Sequence, residues 1–247
     1  MLTSSSLDAV AYVSESSAFM QATPLALPAT ARSALPERSF ASPDNAALAD
    51  VLRHPGIWRR GSKPAPTSDA PSTGLAELDA RLPGSGWPRG GLTEILIEHD
   101  GIGECSLLLP ALAALTRARQ RVVLIAPPYI PYAPALAEAG IDLSQLVHIE
   151  AGVADTHWTA EQCLRAGCCG AVVNWLPKAD YRQLRRLQLA AETGAALAFV
   201  FRPLAAAQEA SPAALRLKIT VSAGERRIEI LKCRGALGGS QAIGQRA

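Results

Sequence analysis

From Leu92 to Phe201 the chain alternates short apolar runs with longer stretches of helical period, and this alternation constrains its fold more than any other feature. Leu92–Ile97, Arg121–Ala126, Leu146–Glu150, Gly170–Leu176 and Ala195–Phe201 read as strands. Between them, Ser106–Arg119, Ala133–Ala139, Thr156–Ala166 and Lys178–Thr193 read as helices. Strands spaced by helical patterns of about 10–15 residues predict an α/β fold, a mainly parallel twisted sheet flanked by helices. Leu215–Val221 and Arg226–Cys233, joined around Ala223-Gly224, predict a C-terminal antiparallel hairpin.

The ends of the chain have a different texture. Residues 1–45 are rich in Ala, Ser and Pro with little period. Such a stretch buries too little surface to offset its ordering entropy, so it is expected to be a disordered tail or sequence upstream of the natural start. Residues 46–72 read as a short helix (Ala46–Leu52), a short strand around Gly56–Gly61 and a Pro/Ser linker. Thr73–Asp79 reads as a capped helical turn and Leu82–Gly91 as a Gly/Pro loop, opening a domain expected over 73–235. Residues 236–247 are expected to be a flexible C-terminal tail.

Composition excludes several classes. Apolar residues make up 49% of 247, enough for a sizeable core. The formal charge of +2 is too small to mark a nucleic-acid binder. No apolar run approaches the ~20 residues of a membrane span. No basic residue precedes an apolar stretch at the N-terminus, so a signal peptide is not expected and a cytoplasmic location is. The five cysteines form no C-x-x-C pair and the four histidines show no ligand spacing. Free thiols and no metal site are expected.

The segment after the first strand carries the sharpest chemical signal. A phosphate-binding loop reads G-x-x-x-x-G-K-[ST]: glycines let backbone N–H groups wrap the phosphates, and the Lys adds charge. At that place this chain has Glu98 for the first Gly, keeps Gly101 and Gly103, and has Glu104 for the Lys, followed by Cys105 and Ser106. A carboxylate about 4 Å from a phosphate charge is repelled by roughly 4 kcal/mol at an effective dielectric near 20. The bland alternative for Gly101 and Gly103 is a tight strand-to-helix turn.

The order of these segments resembles the RecA core across about residues 46–235. Thr73-Gly74-Leu75-Ala76-Glu77-Leu78-Asp79 is similar to its helix start, Gly90-Gly91-Leu92-Thr93-Glu94-Ile95 to its first core strand, Leu143-Ser144-Gln145-Leu146 to its strand-entry turn, and Ala171-Val172-Val173-Asn174 to its Walker B strand. A closer resemblance is to the SulA/ImuA family, on its ImuA branch. It is carried by Gly101-Ile102-Gly103-Glu104, Ala126-Pro127-Pro128-Tyr129-Ile130-Pro131-Tyr132-Ala133-Pro134, Ala160-Glu161-Gln162-Cys163-Leu164-Arg165 and Leu231-Lys232-Cys233-Arg234-Gly235. That resemblance implies a non-catalytic accessory protein of SOS-induced translesion DNA synthesis. It also implies RecA and an ImuB-like, Y-family-related protein as partners, indirect contact with DNA and a DnaE-type polymerase, and association with the nucleoid through those partners.

A working ATPase of the RecA type needs a Lys on the phosphates, a water-aligning carboxylate, an acidic Walker B residue and a polar sensor. Set against those needs, the Lys place holds Glu104, Ala126-Pro127-Pro128-Tyr129 offers no acid, Asn174 replaces the Walker B acid, and the sensor falls on Arg202-Pro203. No catalytic residue, cofactor or ATPase activity is expected. The segments matching RecA's DNA-binding loops are short and carry no basic groove. The best basic surface is Arg182, Arg185 and Arg186, either a solvated helix face or a docking face.

The resemblance further implies protomer-type contact surfaces: Ile57, Trp58, Arg59 and Arg60 in the N-terminal element, and Lys232 with Arg234, which would reach in trans from one face of the late strand. Their bland alternatives are a Trp folded onto its own core and an edge-strand charge pair. Two rival functions remain open at this point. One is a SulA-type cell-division inhibitor that blocks a tubulin-like GTPase; the other is an active recombinase-like ATPase.

Overall fold

The computed structural model describes residues 70–222, 225–235 and 241–246. The tail over 1–45, the helix and strand of 46–69 and the residues Ile57, Trp58, Arg59 and Arg60 lie outside them.

Among the described residues, eight strands form one mixed sheet with the order β3-β2-β4-β5-β1-β6-β7-β8. They are β1 (Leu92–Ile97), β2 (Arg121–Ile125), β3 (Leu146–Ile149), β4 (Cys169–Trp175), β5 (Leu197–Pro203), β6 (Leu215–Ser222), β7 (Glu225–Cys233) and β8 (Gln241–Arg246). Strands β3, β2, β4, β5, β1 and β6 run parallel, and β7 and β8 close the sheet antiparallel. The hairpin read from sequence is present. The C-terminal tail expected over 236–247 instead supplies β8, paired from Glu225↔Arg246 to Ile230↔Gln241.

The described residues also form five helices: α1 (Ala76–Asp79), α2 (Leu109–Arg117), α3 (Ala133–Glu138), α4 (Thr156–Arg165) and α5 (Tyr181–Gly194). They cover both faces, as parallel strands require, because β1 and β4 are buried along their whole length. On one face, Leu108 and the α2 residues Ala111, Leu112 and Leu115 pack in one cluster with Ile95, Val173 and Phe199. On the other, α4 and α5 pack Leu164, Leu184, Leu187 and Ala191 against Leu92, Val172 and Ala198. Trp87, from the Gly/Pro loop, is fully buried and meets Phe199 edge-on at 5.1 Å.

Local chemistry sets the helix ends. Asp180 caps α5 by accepting the Gln183 N–H at 2.7 Å, while Gln183 accepts the Asp180 N–H at 2.9 Å, a complete capping box. Helix α5 ends at Gly194, where an added Cβ would sit 1.9 Å from the Leu164 carbonyl oxygen. Only glycine lets α4 and α5 approach so closely. Gln188 of α5 is buried and accepts the Leu92 N–H at 3.0 Å, pinning the start of β1 to the helix.

Candidate functional site

The turn after β1 is the natural place to look, because a central parallel strand delivers its C-terminal loop to the edge where α/β proteins bind ligands. Gly101 and Gly103 both lie in the left-handed region, with φ of +85° and +80°. Both glycines are therefore demanded by the turn. A short 3-10 stretch, Glu104–Leu107, leads on to α2.

The turn is filled from within the chain. Glu104 is buried, and its Oε1 accepts the Gly101 N–H at 3.3 Å. A carboxylate of the protein thus takes a backbone donor of the kind that phosphate loops offer to an anion. Ser106 Oγ donates to the Gly103 carbonyl at 2.6 Å. Arg226 of β7 donates to the same carbonyl at 3.1 Å and to Ser106 Oγ. Sequence reasoning missed Arg226, which reaches the turn from 120 positions downstream. The Cys105 thiol is pushed up to about 12 by burial and by the nearby Glu104 and Asp100, so it stays protonated at neutral pH. Glu98 is exposed at the end of β1.

Asn174 sits one residue before the end of β4 and is 1% exposed. Neither atom of its side-chain amide has a hydrogen-bond partner among the described residues. Asn174 lies on β4 and Glu104 in the turn after β1, and the Asn174 amide makes no hydrogen bond to that turn among the described residues.

The strongest electrostatic feature was not expected from sequence. Glu94, in the middle of β1, is fully buried between two arginines. Its Oε1 lies 2.6 Å from Arg202 Nη1 on β5, and its Oε2 lies 2.6 Å from Arg216 Nε on β6. Arg202 also binds Glu209 at 2.8 Å and the Ala179 carbonyl at 3.0 Å. Arg216 donates to the carbonyls of Ala206, Ala207 and Glu209. Arg202, read from sequence as the sensor position, is thus tied to the sheet interior.

The basic pair is engaged within the chain. A register shift in β7 places Lys232 opposite Arg216. Lys232 Nζ donates to the Ser211 carbonyl at 2.7 Å, and Arg234 lies 3.7 Å from Glu192 of α5. Burial first, then Arg234 and Arg216, hold the Lys232 ammonium below its ordinary value. Of the three arginines on α5, Arg186 binds the buried Glu161 of α4 at 2.6 Å, alongside Arg165 at 3.0 Å. Arg182 and Arg185 are exposed.

The loops after β2 and β3 and the first turns of α4 and α5 present exposed apolar groups: Tyr129, Ile130, Tyr132, Val153, Trp158 and Tyr181. Ile130 is 88% exposed. The Tyr129 ring lies beside Gly101, 3.5 Å from where a Cβ would stand. No helix among the described residues is long and apolar enough to cross a membrane.

Residues 90–198 match the family model described as "Cell division inhibitor SulA". Proteins named cell division inhibitor SulA from Yersinia pestis (strain Pestoides F) and Yersinia pseudotuberculosis serotype O:1b (strain IP 31758) are each 27% identical to the chain over 154 residues, covering 62% of it and 86% of the relative. The crystal structure of SulA from Pseudomonas aeruginosa aligns with a TM-score of 0.40 at 27% identity, covering 47% of this chain and 99% of that one. These matches correct the expected function. The model and the relatives are described as division inhibitors, which overturns the reading as a translesion-synthesis accessory with RecA, an ImuB-like protein, DNA and a DnaE-type polymerase as direct or indirect partners. The nucleoid association that rested on those partners falls with it.

Proposed function

We propose that the protein is a non-catalytic, SulA-type inhibitor of cell division that acts by contact with a tubulin-like GTPase of the division machinery. The observation that carries this reading is the family match over residues 90–198, which runs from β1 through β4 to the start of β5 and takes in every helix from α2 to α5. A contact mechanism is supported by the exposed apolar and aromatic groups on the loops after β2 and β3 and on the first turns of α4 and α5, because large aromatic side chains dominate binding energy at protein interfaces. Absence of catalysis is supported by the Glu104 carboxylate in the turn after β1 and by an uncharged Asn174 on β4. A RecA-like core is supported by a central first strand that passes through a glycine turn into a helix within a run of parallel strands.

Expression above normal levels in a bacterial host should produce filamentous cells without division rings. In solution, the purified chain should lower the sedimentable polymer formed by the division GTPase and slow its GTP turnover. Normal cell length together with unchanged polymer would sink the proposal. Calorimetry with Mg-ATP should show no saturable heat; clear turnover of ATP would overturn the non-catalytic part alone.

A further inference from the structure

Cys168 and Cys169 are consecutive, and their sulfurs lie 3.9 Å apart. Successive residues of a regular strand point to opposite faces, which would keep two such sulfurs apart. Two local features bring them together. Cys168 precedes β4, so the alternation of the strand does not govern it. Cys169 opens β4 at a β-bulge: Arg121 of β2 pairs with Cys169 and Val122 with Ala171, which leaves Gly170 between them. Bulges re-aim side chains in this way. Gly170 keeps the bulge tight against β2, since an added Cβ would stand 2.8 Å from Gln120.

The pair can be reached from solvent through its first member. Cys168 is exposed and Cys169 is buried. Gly167, which turns the chain from α4 into Cys168 with a φ of +65°, has nothing within 4 Å of where its Cβ would stand. A reagent that meets Cys168 is therefore not blocked from that side.

Geometry narrows what two such thiols can hold. A direct disulfide needs sulfurs about 2.0 Å apart and Cα atoms about 4.4–6.8 Å apart. Sequence neighbours joined by a trans peptide have Cα atoms about 3.8 Å apart, below that range. A structural zinc needs four ligands. Among the described residues, no group of three or more His, Cys, Asp or Glu side chains is placed to hold a metal ion. A single soft atom with two valences for sulfur meets neither obstacle, because it bridges the sulfurs without joining them and needs no third side chain. Trivalent arsenic carrying one organic group is such an atom, and soft thiolates are the ligands it prefers.

We infer that Cys168 and Cys169 form a vicinal-dithiol site that captures trivalent organoarsenicals. Both thiols condense with the arsenic-oxygen group of an arsine oxide. Two As–S bonds form, the As=O bond breaks, and the oxygen leaves as water with the two thiol protons; nothing is oxidised or reduced. Burial first, then the neighbouring Cys168, push the Cys169 thiol up to about 12, so at neutral pH it still carries the proton that leaves with that water. Exposed Cys168 bonds first, and the second bond is then intramolecular, which favours the bridged product by about 10²–10⁴-fold. The site is independent of the division-inhibitor reading, since it lies at the start of β4 and needs no protein partner.

The reduced full chain would be treated with equimolar phenylarsine oxide and weighed by intact-mass spectrometry. One adduct per chain should form, resist an excess of 2-mercaptoethanol and be released by 2,3-dimercaptopropanol. Cys168→Ser and Cys169→Ser should each weaken capture by at least about 100-fold, while Cys163→Ser should leave it unchanged. Cys168→Ser changes an exposed position and decides the matter even where the Cys169 variant fails to fold. Absence of an adduct, release by 2-mercaptoethanol, capture retained by Cys168→Ser, or capture lost in Cys163→Ser would each overturn the proposal.

Discussion

Glu94 Oε1 and Arg202 Nη1 lie 2.6 Å apart in the sheet interior, and Arg216 closes on the other carboxylate oxygen at the same distance. One carboxylate therefore couples β1 to both of its neighbours, β5 and β6. The arginines extend the coupling to Glu209 and to carbonyls of the segment Ala206–Glu209.

Removing the carboxylate leaves buried Arg216 without its carboxylate partner and buried Arg202 with Glu209 alone. Glu94→Ala is expected to cost about 3–5 kcal/mol, the range for breaking a buried ion pair from one side. Urea unfolding at neutral pH measures it. Replacing all three groups by apolar residues should recover only part of that loss, because Arg216 also satisfies three backbone carbonyls that would then be unpaired. A loss below about 1 kcal/mol for Glu94→Ala would show that the triad does not hold the sheet.

The close passage of α4 and α5 makes a second prediction. Gly194→Ala drives a methyl group into the Leu164 carbonyl, which belongs to backbone and cannot swing aside. A loss of about 1–3 kcal/mol is expected, the usual cost of overpacking. Gly167→Ala is the contrast, since nothing stands within 4 Å of its added Cβ. Its φ of +65° confines its cost to about 1 kcal/mol of backbone strain. Thermal midpoints of the two variants should separate accordingly.

Two thiols, half-buried Cys105 and buried Cys169, predict sensitivity to alkali. Cys105 and Cys169 are each pushed up to about 12, with burial the largest cause in both. In the unfolded chain such thiols ionise near 9.0. Between these values the unfolded state releases protons that the native state keeps. Their stabilising contribution is thus complete below pH 9 and is lost as pH rises toward 12. Denaturant midpoints should fall between pH 8 and pH 10.5, and Cys105→Ala should flatten that fall. At neutral pH the exposed Cys168 should react with a thiol reagent before the half-buried Cys105 or the buried Cys169.

Helix α5 should depend on its N-terminal cap. Asp180→Ala removes an acceptor for the Gln183 N–H and is expected to cost about 1 kcal/mol. Asp180→Asn, which keeps an acceptor oxygen, should restore most of it. Equal losses in the two variants would count against the capping box.

Much of the fold could be read from residue pattern. The run Leu92-Thr93-Glu94-Ile95-Leu96-Ile97 is a strand with the bounds expected, and Arg226–Cys233 lies inside β7. Both are short apolar or alternating runs whose identity depends on neighbours in sequence. The glycine turn was legible because φ near +80° at Gly101 and Gly103 is a local demand. What escaped notice was non-local. Nothing near Glu94 announces partners 108 and 122 positions away, although three charges in the apolar strands β1, β5 and β6 were a signal. Strand β8 was missed because Gln241-Ala242-Ile243-Gly244-Gln245-Arg246 follows glycines and has little β propensity of its own; its pairing with β7 makes it a strand. Lys232 and Arg234 were expected to reach outward, and their alternation along the chain could not reveal Ser211 and Glu192 waiting within reach.

The turn closed by Glu104 carries its own anion as a permanent part of the chain. A switch that is loaded and emptied by a diffusing nucleotide can be reset without making or destroying protein. On the proposed reading this molecule has no such reset, so the duration of its action would follow its lifetime in the cell, and a protease would be the means of turning it off.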